Sequence, residues 1–128
     1  MNTKIILSLL VTLVTSMIPL PNVSGNVMLQ AITGPVKKVT TDKAWLTCRV
    51  LTTNRYAVCW MEYGKYKSLD KPHKTGHKHI KKGTEAEYVF KVSGLLPDTL
   101  YYYKVVSVDE TGRSAGSVYS FRTEKASR

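Results

Sequence analysis

Three histidines stand close together, His73, His77 and His79, in the spacing H-x3-H-x-H. Neutral imidazoles so spaced could converge on zinc or copper, which accept nitrogen ligands. A lasting site also needs a fourth ligand or a carboxylate, and Asp70 is the only acid nearby. Five lysines between positions 71 and 82 would repel a cation from the same segment. The trio therefore reads as solvated loop histidines, and neither a metal nor another cofactor is expected.

Those histidines lie in the most basic part of the chain. Lys65, Lys67, Lys71, Lys74, Lys78, Lys81 and Lys82 face the single acid Asp70 over 18 residues. Two readings stay open, and they are compatible. Lysines on an exposed edge discourage edge-to-edge pairing of sheets. They also attract anions: acidic polysaccharide, teichoic acid, lipid head groups or extracellular nucleic acid. Tyr63 and Tyr66 begin the segment and could stack on a sugar or a base. Lysines draw anions without reading them, so no specific nucleic-acid recognition is expected.

Cys48 and Cys59 also admit two readings. As thiols they would be small apolar core residues. In an exported chain, facing each other across a core, they could instead close a disulfide, and that bridge is the expectation carried forward. No Cys-x-x-Cys spacing supports redox or metal chemistry. The parts of an enzyme are missing as well: no inward carboxylate pair, no nucleophile beside a base, no glycine-rich phosphate loop. Glu85 and Glu87 share a strand face as solvated flanks. The chain reads as non-enzymatic.

Export is inferred from the first residues. Met1 to Lys4 is short and positive, Ile5 to Ile18 is almost wholly apolar, and Pro19 and Pro21 break the run before Val23-Ser24-Gly25. That order suits a secretory signal peptide of residues 1–25. An uncleaved anchor would need about 20 apolar residues, and this run is shorter and contains Thr12, Thr15 and Ser16. A secreted or extracytoplasmic location, at a cell surface or in a periplasm, follows, with no stable membrane span after cleavage. The full chain has 128 residues and a net charge of +10, and what remains after residue 25 is enough for one domain.

The elements that must position these residues are short and alternating, with turn signals between them, as in an all-β sandwich. Ile32 to Val39 reads as a first strand, with Pro35 tolerable at a sheet edge. In Ala44 to Leu51, Arg49 cannot be buried unpaired, so Leu46, Cys48 and Val50 face inward and Trp45 is left outside. In Tyr56 to Tyr63, Glu62 turns Ala57, Cys59, Met61 and Tyr63 inward for the same reason. Strands at Tyr88 to Val92, Tyr101 to Val108 and Ser117 to Thr123 follow, the last with Tyr119 and Phe121 on one face. Asp109 to Gly112 is a hairpin turn.

One stretch, GLLPDTLYYYKV from Gly94 to Val105, sets Leu95, Pro97, Thr99, Tyr101, Tyr103 and Val105 at alternate positions. The pattern GLxPxTxYxYxV resembles the E–F corner of fibronectin type III domains. The resemblance implies an immunoglobulin-like β-sandwich of about seven antiparallel strands over residues 32–124. An extension at 26–31 precedes it, and a tail at 125–128 follows. It also makes Tyr101 the corner tyrosine, its ring in the core and its hydroxyl returned to nearby backbone. Glu62-Tyr63-Gly64 and SVYSFRTE at Ser117 to Glu124 resemble the sandwich domain that precedes the catalytic domain in purple acid phosphatases. With Arg128 ending the sequence, no phosphatase activity is expected to come with that resemblance. The tryptophan usual in the second strand is missing, and Val50 takes its place. No Arg-Gly-Asp occupies the Asp109 to Ser114 turn, and no Trp-Ser-x-Trp-Ser box is present.

The expectation is an exported binding module of fibronectin type III type, monomeric or weakly self-assembling. Its partner would be a protein or an anionic surface polymer met through the basic segment. The alternative is a structural subunit that joins neighbours by edge-strand addition. The sandwich hosts many unrelated roles, so the fold alone does not choose.

Overall fold

Arg49 decides which way the second strand faces, and the rest of the sandwich is built on that choice. The computed structural model describes residues 29–53, 56–81 and 85–127. The expected leader, residues 1–25, lies outside the described residues, and so does Lys82. The described strands are β1 (Leu29–Val39), β2 (Ala44–Thr52), β3 (Ala57–Gly64), β4 (His73–Lys74), β5 (Lys78–His79), β6 (Ala86–Val92), β7 (Leu100–Asp109), β8 (Gly112–Ala115) and β9 (Tyr119–Arg122). All pair antiparallel.

One sheet runs β1-β2-β6. In the other, β3 and β7 form the centre; β8 and β9 share the far side of β7, and β4 and β5 share the far side of β3. Two edges are thus each split into short pieces, which leaves seven strand positions in two facing sheets. The architecture is the expected all-β, immunoglobulin-like sandwich.

On β2, Leu46, Cys48 and Val50 are fully buried, while the Arg49 guanidinium turns outward to the Glu85 carboxylate at 3.0 Å. Cys59 and Met61 of β3 and Tyr103 and Val105 of β7 close the core from the other sheet, with Phe90 and Val92 of β6 beside them. Packing these side chains out of water is the main force holding the sheets together. Trp45 stays on the outer face, half-buried beneath the ammonium groups of Lys38 and Lys91, 5.1 and 5.8 Å from its ring centre.

The corner joins β6 to β7. Leu95 is buried, and Gly94 and Asp98 turn the chain at φ 74° and 48°. The Leu96 N–H donates to the Tyr101 hydroxyl at 2.9 Å, and the Tyr101 ring stacks on Phe121 with centroids 5.6 Å apart. Thr123 donates its hydroxyl to the Leu96 carbonyl at 2.5 Å, which ties the end of the chain to the same turn. Pro97 is exposed at the tip.

Several strand boundaries and the exposure of one side chain differ from expectation. β1 starts at Leu29 rather than Ile32, because residues 29–31 continue the ladder along Val50 to Thr52. The last strand starts at Tyr119 rather than Ser117, and β8 precedes it. The break falls at Gly116, which packs so closely on Thr33 of the other sheet that any Cβ would overlap that residue's backbone nitrogen and hydroxyl. Tyr119 shares a face with Phe121 as expected, but it lies 41% exposed at the rim, edge-on to Tyr103, while Phe121 is buried.

Candidate anion-binding edge and cleft

The lysine segment contains three residues that want to be buried or bonded, and they fix it to β3. Leu69 tucks under the end of β3 and is buried, its N–H donating to the Tyr66 carbonyl at 3.0 Å. Thr75 exchanges bonds with Met61: its N–H donates to the Met61 carbonyl at 3.0 Å, and its hydroxyl accepts from the Met61 N–H at 2.9 Å. Ile80 is buried, and its N–H donates to the Ala57 carbonyl at 3.0 Å. β4 and β5 pair between these anchors, Tyr63 opposite His73 and Cys59 opposite Lys78. The segment is therefore an edge of the larger sheet rather than a free loop.

The lysines around these anchors are exposed, though Lys78 leans back over the edge of the core. Lys65 and Lys71 line a cleft at one end of the sandwich. Lys67 borders a neighbouring groove with Tyr102 and Tyr119. Lys74 stands across from Glu62, and Lys78 reaches over the Phe90 ring at 5.2 Å. Lys81 follows β5. None of Lys65, Lys67, Lys71, Lys74 and Lys78 makes an ion pair among the described residues, and all five are exposed.

The cleft lies between the Lys65 to Lys71 turn and the Ser93 to Leu96 turn, with a volume of about 810 Å³. Tyr63 and Tyr101 line it, and burial raises the Tyr63 phenol above its ordinary pKa. Tyr66, 73% exposed, and Leu96, 51% exposed, stand on its two turns. Leu69 and Lys71 hold left-handed backbone at φ 54° and 49°. That conformation costs a non-glycine residue about 1–2 kcal/mol, so the surrounding contacts must hold the turn in shape.

The histidines do not converge. His73 packs on Tyr63 at 5.4 Å, His77 stacks on Trp60 at 4.6 Å, and His79 lies opposite Val58. Trp60 and Tyr63 point to opposite faces of β3, which separates His73 from His77. No group of three metal-ligating side chains occurs among the described residues.

The expected disulfide is corrected: Cys48 and Cys59 are both free and fully buried. They face each other across the core as thiols rather than as a bridge. The neighbouring Cys59 thiol, followed by burial, holds the Cys48 thiol far above its ordinary pKa. Cys59 is drawn down, first by Cys48, against burial and with help from the Lys78 ammonium.

One cluster was not foreseen. Glu62 faces outward as its charge requires, yet it is only 5% exposed. Trp60 Nε1 donates to its Oε2 at 3.1 Å, and Arg113 approaches the same oxygen at 3.7 Å while lying 5.9 Å over the Trp60 ring. The alternation of Trp60 and Glu62 was the available signal. What it could not give is Arg113, which reaches this face from β8.

No family model matches the sequence, and no curated protein matches it. Solved structures do match the fold. The chain is similar to the sensor domain of the anti-sigma factor RsgI4 of Pseudobacteroides cellulosolvens, at a TM-score of 0.63 and 16% identity over 77% of this chain and 96% of that one. A longer form of that domain gives 0.60 and 18%, over 79% and 94%. A fibronectin type III domain of the human KIAA0970 protein gives 0.52 and 9%, over 77% and 75%. The fold is that of a fibronectin type III-like β-sandwich.

Proposed function

We propose that this chain is an exported, non-enzymatic binding or sensing module that contacts an anionic surface polymer through the Lys65 to Lys82 segment. The observation that carries the reading is the set of five exposed lysines without ion pairs, held along one sheet edge by Leu69, Thr75 and Ile80. Charges already matched by acids would have little left for a ligand; these are unmatched. A role in sensing is prompted by the similar fold of an anti-sigma factor's sensor domain. The alternative, assembly by strand addition at this edge, is disfavoured because β4 and β5 are two residues each and crowded with lysine.

Sizing the protein across a range of salt concentrations, alone and with a polyanion such as heparin, tests the reading. A monomer that shifts only with the polyanion supports it. Self-association at low micromolar concentration without the polyanion would favour the assembly subunit.

A further inference from the structure

The lysine edge accounts for attraction to an anion, but not for the cleft at its end, whose lining is a different kind of surface. Its volume of about 810 Å³ is in the range of ligand sites, roughly 300–1,000 Å³. It offers ring-sized apolar contacts, since Tyr66 and Leu96 stand on the two facing turns and Tyr63 carries His73 packed at 5.4 Å. Hydroxyl partners are present at Ser68 and Ser93. The lysines and acid lining it are Lys65, Lys71 and Asp70, whose formal charges sum to +1.

That balance restricts the ligand. A densely charged polymer such as a sulfated glycan or a nucleic acid would bring two or more negative charges into reach of Asp70 and lose affinity to repulsion. A neutral sugar would leave the two ammonium groups unused. A sugar ring with one carboxylate matches the net charge. Its acid can meet Lys65 and Lys71, a hydroxyl can donate to Asp70, and its apolar face can lie on Tyr66. The left-handed backbone at Leu69 and Lys71, with Leu69 buried as an anchor, presents Asp70 and Lys71 in a fixed turn before any ligand arrives. Ready-made geometry of this kind lowers the ordering cost of binding.

We propose that the cleft between the Lys65 to Lys71 and Ser93 to Leu96 turns seats a uronic acid residue, a carboxylate-bearing sugar ring of an acidic polysaccharide. This rests on the reading that the chain binds an anionic polymer, and it adds which chemistry is selected and where.

Titration calorimetry and amide chemical shifts of the protein with oligogalacturonate test it, compared with the fully methyl-esterified oligomer and with a dextran sulfate oligosaccharide of equal length, which carries sulfate but no uronic acid. The free acid is expected to bind at least tenfold more tightly than its ester, with shifts centred on Tyr63, Lys71 and Leu96. Tyr66→Ala should weaken it on the order of tenfold through lost stacking. Asp70→Asn should weaken the uronate and strengthen dextran sulfate, moving the preference between them toward the sulfated glycan. Tyr66 and Asp70 are exposed, and the ester comparison needs no variant, so misfolding cannot decide the outcome. Equal affinity for acid and ester, or uronate binding without shifts in the cleft, overturns the site. Dextran sulfate binding with no uronate preference also overturns it while leaving the lysine-edge reading standing. Binding to none of the three removes both.

Discussion

Among the described residues the Tyr101 hydroxyl has one hydrogen bond, and deleting it gives a clean measure of the corner. In Tyr101→Phe the ring keeps its place against Phe121 at 5.6 Å, and the Leu96 N–H loses its acceptor at 2.9 Å. A donor left unsatisfied in a buried site costs about 1–3 kcal/mol. The Leu96 side chain is half exposed, so water can reach part of the turn, and the remaining bonds through Thr123 and Asp42 keep its shape. These considerations place the loss at about 1–2 kcal/mol, in the lower part of the range for an unsatisfied donor. For a domain of this size, 1 kcal/mol moves Tm by roughly 4–8 °C. Urea titration should show a lower midpoint with an unchanged slope. Tyr102→Phe is the matched control, since Tyr102 points to the outer face and its hydroxyl makes no hydrogen bond among the described residues; it should move stability by less than about 0.5 kcal/mol. Equal midpoints for Tyr101→Phe and the parent would refute the claim that this bond holds the corner.

Alkaline pH should weaken the fold through Tyr103. It is fully buried, donates to the Gly34 carbonyl at 2.6 Å, and has its phenol pushed up to about 12, mainly by burial. An unfolded tyrosine ionises near 10, so above roughly pH 10 the unfolded chain releases a proton the folded one keeps. The stability from this group is complete below that pH and is lost as pH rises towards 12; Tyr103→Phe should start less stable but lose less over the window, and parallel curves would contradict this. Cys48 and Cys59 should resist alkylation in the native protein and both react in denaturant without any reductant. Labelling that required a reductant would show a bridge and contradict the free thiols.

Much of the sandwich was legible because single residues forbade the alternatives. Arg49 fixed β2, and the run from Leu95 through Tyr101 to Val105 marked the corner and the inward face of β7. Glu62 gave the correct face of β3 although it is not solvated: the outer face still lets Trp60 and Arg113 reach its carboxylate, which the core would not. β4 and β5 were illegible as strands. Pro72, Gly76 and the interleaved lysines carry no period-2 apolar pattern, and the pairing depends on isolated anchors such as Thr75. The split of the last strand depends on Gly116 meeting Thr33 across the sandwich, a contact no local pattern encodes. The thiols show the same limit, since facing positions reveal proximity but not bonding. The lysines were visible as a basic segment; the cleft required two turns from distant parts of the chain to come together.

The central claim is that the lysine edge binds anionic polymer, and its salt dependence is the most direct measurement. Affinity for heparin should fall linearly on a log–log plot against salt concentration, because neutralising the polymer releases its condensed counterions. Replacing Lys67, Lys74 and Lys78, the exposed lysines outside the cleft, with Gln should flatten that slope by about 2–3, close to one for each contact removed. The folded state should barely change, since exposed charges contribute little to stability. A parent that binds with the steep slope and a variant that binds weakly with a shallow one is the predicted result. A variant with the parent's affinity and slope would contradict the account and turn attention to the outer face around Trp45.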